Sequence, residues 1–92
     1  MKKLSATPSF KRCLKKLGDD ALEEIFTAMN LAAAVFGQPH LHSGRGIREI
    51  LPDLYECRAG RSLRLMFSLD DDTLIFEYAG SHEQVRAWWK KR

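Results

Sequence analysis

The sequence predicts an α+β domain: an N-terminal helical hairpin packed on a small antiparallel sheet of three to four strands, followed by a C-terminal helix. Three observations carry that expectation. Between Pro8 and Phe36, apolar residues recur at spacings of three and four. From Leu54 to Ala79 they alternate, in three runs separated by turn residues. Ser81 and Gln84 then stand three apart at the head of a last run with helical spacing, which is the pattern of a capping box.

Taken in order, residues 2–6 read as a short edge strand. Thr7-Pro8 opens the first helix, with Thr7 as cap and Pro8 in the first turn, where a missing N–H costs nothing. Phe10, Cys13, Leu14 and Leu17 share one face, Lys11, Arg12, Lys15 and Lys16 the other, and Gly18 is expected to end the helix. Asp19 and Asp20 open the second helix, where carboxylates suit the positive end of the dipole. Its expected apolar stripe is Leu22, Ile25, Phe26, Met29, Ala33 and Phe36, and Ala32 to Ala34 permit close approach to a neighbour. Gly37 takes the position just past the helix end, with Pro39 after it. Residues 38–53 read as loop and then apolar chain, with His40, His42 and Arg45 close together in a glycine-containing surface segment. The strands expected are Leu54 to Ala59, Ser62 to Ser68 and Thr73 to Ala79, turning at Ala59-Gly60-Arg61 and Asp70-Asp71-Asp72. Val85, Trp88 and Trp89 supply the apolar side of the last helix.

Ninety-two residues make a single domain, 1–92. A hydrophobic fraction of 45% and a charged fraction of 29% argue against disorder. The net charge of +3 permits an anionic partner without requiring one. Cys13 and Cys57 each have apolar neighbours and read as free thiols in a reducing compartment. The basic start has no apolar stretch of signal-peptide type, and no apolar run reaches membrane-spanning length. The expectation is a cytoplasmic protein with no membrane partner.

Strand parity divides the sheet into two faces. Tyr55, Cys57, Leu63, Leu65, Phe67, Leu74, Phe76 and Tyr78 are expected to face the core. Glu56, Arg58, Arg64, Met66, Ile75 and Glu77 share the other face. Its charges form either a cross-strand ion-pair lattice, a routine stabilising device, or a site. His82, at the start of the last helix and beside the strand of Arg64, favours a site that handles phosphate. Arginine matches phosphate oxygens with a planar fork, and histidine moves protons near neutral pH. RNA cleavage needs such a set: a base for the 2′-hydroxyl, an acid for the leaving 5′-oxygen, and a cation for the phosphorus centre. A plain helix start remains the alternative for His82, and solvated loop residues the alternative for His40 and His42. The His-x-His pair has no cysteine or acidic cluster at metal-site spacing.

His40-x-x-x-Gly44, the strand Leu63-Arg64-Leu65-Met66-Phe67, and Phe76 through the Gly80-Ser81-His82 corner together resemble the RelE/ParE toxin superfamily of bacterial type II toxin–antitoxin systems. They lie nearest its RelE/YafQ-like mRNA interferase branch, over about Phe10 to Trp88. The resemblance implies a RelE-like fold and an endoribonuclease that cuts mRNA on the ribosome, without cofactor or metal. It assigns Arg64 to the scissile phosphate, His82 to the general acid and His40 to catalysis, with Arg45, Arg58, Arg61, Arg86 and Trp88 binding RNA. It also implies a cognate antitoxin and a toxin–antitoxin hetero-oligomer. The segment after His82 is longer than in YafQ-like members. This leaves open a ParE-like inhibitor of DNA gyrase, and a catalytically decayed member.

Overall fold

The three alternating runs form the centre of the sheet. The computed structural model describes residues 2–38 and 46–92. Its elements are β1 (Lys3–Ala6), α1 (Pro8–Leu14), α2 (Asp19–Val35), β2 (Arg48–Leu51), β3 (Leu54–Ala59), β4 (Leu63–Asp70), β5 (Thr73–Ser81) and α3 (His82–Lys90). They build one five-stranded mixed sheet of order β1-β5-β4-β3-β2. β1 runs parallel to β5, and the other pairs are antiparallel. The α+β class and the C-terminal helix therefore hold, whereas the strand number and the purely antiparallel pairing do not. The short N-terminal strand joins β5, and β2 comes from the apolar part of residues 38–53, for which no strand is expected.

The helical hairpin also needs correction. α1 lies over β5, while α2 lies over β3 and reaches β4 and β1. Each helix finds its apolar partner on the sheet instead of on the other helix. α1 has seven residues and a single buried one, Phe10, whose ring meets Phe76 at 5.6 Å. Thr7 caps it by accepting from the Phe10 N–H at 3.1 Å. It ends at Leu14, and Gly18 serves as the N-cap of α2. α2 seats Ile25, Ala28, Ala32 and Val35 in the core, its alanines allowing close approach to the sheet. Phe26, expected in that stripe, is 48% exposed. Gly37 stands past the helix end at φ +91°, a conformation glycine adopts without strain.

The core beneath α1 and α2 is aromatic. Phe67 stacks on Tyr55 at 5.6 Å and meets Phe76 at 5.1 Å and Phe36 at 5.8 Å. The opposite face of the sheet is covered by α3, which buries Val85 against Met66 and Leu54, with Tyr78, Trp88 and Trp89 around them. Tyr78 lies on this second face, not on the core face as strict alternation predicts. The register slips between Met66 and Phe67, so that Met66 faces Tyr78 while Phe67 faces Phe76. One extra residue on β5, Glu77, reverses the parity beyond it, as a β-bulge does. The capping box at Ser81 is complete: Ser81 Oγ accepts from the Gln84 N–H at 3.2 Å, and Gln84 Oε1 accepts from the Ser81 N–H at 2.9 Å. Among the described residues no helix is long and apolar enough to cross a membrane.

Candidate functional site

Three adjacent strands bring three arginines to the α3 side of the sheet. Arg48 on β2 pairs in register with Glu56 on β3, and Arg58 on β3 stands directly opposite Arg64 on β4. Like charges in that relation destabilise a sheet unless something offsets them. Glu56 offsets part of the charge. It is 2% exposed, and its Oε1 accepts from Arg48 Nε at 3.3 Å and pairs with a terminal guanidinium nitrogen of Arg48 at 3.3 Å and of Arg64 at 3.5 Å. Among the described residues no carboxylate pairs with Arg58. The face thus carries more positive charge than it neutralises.

β5 and α3 close the site. Arg64 is opposite Gly80, Leu63 is opposite Ser81, and His82 follows as the first residue of α3. His82 is exposed. Two concavities adjoin here. One, of about 320 Å³, is lined by Gly46, Ile47, Arg48, Arg58 and Arg64. The other, of about 200 Å³, is lined by Arg48, Glu56, His82, Arg86 and Trp89. Arg48 borders both, so the arginine cluster and the histidine corner form one continuous surface. Such a surface can take a phosphodiester with cations on one side and an imidazole on the other. A larger concavity of about 560 Å³ lies between α2 and β3; Arg58 borders it too, but Asp20, Glu23 and Glu24 line it, and their charge repels a polyanion.

The structure brings together Arg64, Arg58, Arg86 and His82 from the expected set. Arg61 is exposed in the turn after β3, away from both concavities. Trp88 is half-buried. Its ring stacks on Tyr78 at 5.3 Å and 10°, with the Arg92 guanidinium 4.6 Å from its centroid, and Arg92 is held in turn by Glu77 at 3.1 Å. Trp89, not Trp88, lines the concavity with His82. His40 and Arg45 lie outside the described residues. Arg48 is not among the residues expected at the site, and Trp89 is expected only on the apolar side of the last helix. Arg48-Glu49-Ile50-Leu51 does not alternate, so no local pattern marks Arg48; its place follows from pairing with Glu56 on β3. Beside the site, burial and then the neighbouring Glu56 push the Cys57 thiol up to about 12. Burial, and then Glu49 and Asp53, raise Tyr55 above its ordinary value. Among the described residues no group of three His, Cys, Asp or Glu side chains is arranged to hold a metal ion.

No protein-family model matches the chain, and no curated protein matches it significantly. Solved structures do. YafQ from E. coli strain BL21(DE3) superposes with a TM-score of 0.69 at 13% identity, over 92% of this chain and 98% of that one. A chain of the E. coli RelBE toxin–antitoxin complex gives 0.68 at 17% identity, over 88% and 96%. A chain of the RelB–RelE antitoxin–toxin complex from Methanococcus jannaschii gives 0.67 at 16% identity, over 92% and 98%. At these identities the likeness is one of fold, and it runs nearly end to end: this chain folds as the RelE and YafQ structures do.

Proposed function

We propose that the protein is the toxin of a bacterial type II toxin–antitoxin pair and that it is an endoribonuclease acting on mRNA at the ribosome. The observation that carries this reading is the facing pair Arg58 and Arg64, joined by Arg48 against the single carboxylate of Glu56, with His82 at the adjoining corner. A sheet built for stability alone would place opposite charges across from each other. The fold shared with RelE and YafQ supports the toxin assignment, and the two RelB-containing complexes among those structures support a cognate antitoxin. The substrate places the protein in the cytoplasm.

In the proposed reaction the 2′-oxygen of RNA attacks the adjacent phosphorus. A P–O2′ bond forms, the P–O5′ bond breaks, and the products end in a 2′,3′-cyclic phosphate and a 5′-hydroxyl. Arg64, flanked by Arg58 and Arg48, offsets charge that grows on the phosphoryl oxygens. His82 delivers the proton to the departing 5′-oxygen. His40 takes the proton from the 2′-hydroxyl. Arg86 and Trp89 hold the neighbouring nucleotide. Arg45, Arg61 and Trp88 belong to the proposed RNA contacts on the strength of the family resemblance alone. Induced expression in a bacterial host tests the assignment: it predicts growth arrest with newly cut mRNA and intact DNA. Growth arrest with DNA damage and intact mRNA would replace it with gyrase inhibition, and unimpaired growth would indicate a decayed toxin.

A further inference from the structure

The charge set behind the arginines contains a residue that the proposed chemistry leaves without a task. Glu56 is nearly inaccessible, and carboxylates are almost never buried unless paired. Its partners come from two strands, Arg48 on β2 and Arg64 on β4, on either side of its own. Among the described residues its hydrogen bonds and ion pairs all converge on one oxygen, Oε1, at 3.3 to 3.5 Å. Charge-assisted bonds commonly run to about 2.7–2.9 Å, so neither guanidinium is fully engaged, and arginine keeps further N–H donors for a ligand. Three arginines against one carboxylate leave the cluster cationic, while Arg58 and Arg64 repel across the strand pair.

We infer that Glu56 is a positioning residue: its buried carboxylate holds the Arg48 and Arg64 guanidiniums at the mouth of the arginine concavity and lowers the net charge there, without touching the RNA. This deepens the nuclease reading and rests on it. Glu56 trades tightness of RNA binding for orientation of Arg64 at the phosphorus. Its loss frees two arginines, Arg48 largely exposed and Arg64 partly so, which can rehydrate.

The test compares wild-type protein, Glu56→Gln, Glu56→Asp and Arg64→Ala in two assays. One is mRNA cleavage in a ribosome-containing translation reaction. The other is binding of a single-stranded 2′-O-methyl RNA oligonucleotide, which has no attacking hydroxyl, across a salt series. Glu56→Gln is expected to bind the oligonucleotide at least as tightly as wild type, with a salt slope steeper by about 0.7 for the one charge unmasked, and to cut at least about tenfold more slowly. Glu56→Asp, which keeps the charge, is expected to retain the wild-type slope and cut at an intermediate rate. Wild-type cleavage by Glu56→Gln overturns the inference, as does a parallel fall of binding, cleavage and melting temperature. If Glu56→Gln does not fold, Glu56→Asp decides: slower cleavage at unchanged affinity supports positioning, and unchanged cleavage overturns it. If wild type and Arg64→Ala are equally unable to cut RNA, the nuclease reading fails on its own. The salt slope of Glu56→Gln then judges Glu56, a steeper slope supporting the inference and an unchanged one overturning it.

Discussion

The two faces of the sheet are built from the same strands and obey opposite rules. Beneath α1 and α2, alternate residues of β3, β4 and β5 form a closed aromatic and aliphatic layer, with Leu65, Phe67, Leu74 and Phe76 all at 0% exposure. On the α3 side, Met66 and Val85 are as deeply buried, yet a few ångströms away Glu56, Arg48, Arg58 and Arg64 crowd one patch. A period of two allows this: one residue of a strand serves the core and the next is free for chemistry. The first face supplies the stability that the second gives up to repulsion and to a buried charge. Their separation means that stability and activity respond to different substitutions.

The largest effect is expected at Phe67. Phe67→Ala removes the ring that joins Tyr55, Phe36 and Phe76 and should cost about 3–5 kcal/mol, read from urea unfolding. A loss below about 1 kcal/mol would deny this face its structural role. Next comes alkaline pH. Cys57 ionises at its ordinary 9.0 in the unfolded chain but only near 12 when folded, because burial disfavours the thiolate. The folded state then binds more protons than the unfolded state between those values. Stability is full below pH 9 and falls as pH rises toward 12, by at most about 4 kcal/mol. Cys57→Ala should flatten that decline, and native protein at pH 8 should leave Cys57 unlabelled by a thiol reagent until it unfolds.

Smaller effects are expected on the side of the site. Ser81→Ala removes the cap of α3 and half of its box and should lower stability by about 1 kcal/mol. Because His82 follows the cap, cleavage should fall further than this loss explains. Arg58→Ala should barely move the unfolding curve, since it relieves the repulsion from Arg64. It should reduce the salt slope of RNA binding by about 0.7. A clear loss of stability in Arg58→Ala would show that the arginine pair is structural.

The three central strands and α3 were legible because their signals are local: alternation, turn residues and a capping box report on neighbours in the chain. The arginine face was legible for the same reason, since parity alone puts Arg58 and Arg64 with Glu56. The rest depended on distant partners. Four-residue β2 exists through its pairing with β3, and its residues, Arg48-Glu49-Ile50-Leu51, show no alternation of their own. Arg48 therefore escaped notice, and with it the link between the two concavities. Phe76 to Ala79 reads as regular alternation, and nothing in those residue types marks the bulge that turns Tyr78 toward Trp88. That bulge gives Trp88 its stacking partner, Tyr78. Phe26 fits a helical stripe by spacing, but the sheet accepts the alanine-lined side of α2 instead.

The central claim is that the arginine face performs RNA cleavage on a fold held together by the other face. End analysis of mRNA cut by purified protein in a translation reaction tests it most directly, with wild type, Arg64→Ala and His82→Ala compared at matched folded fractions. The account predicts 2′,3′-cyclic phosphate and 5′-hydroxyl ends from wild type, and cleavage reduced at least about a hundredfold in both variants. Full cleavage by both variants, or no cleavage by wild type, would contradict it.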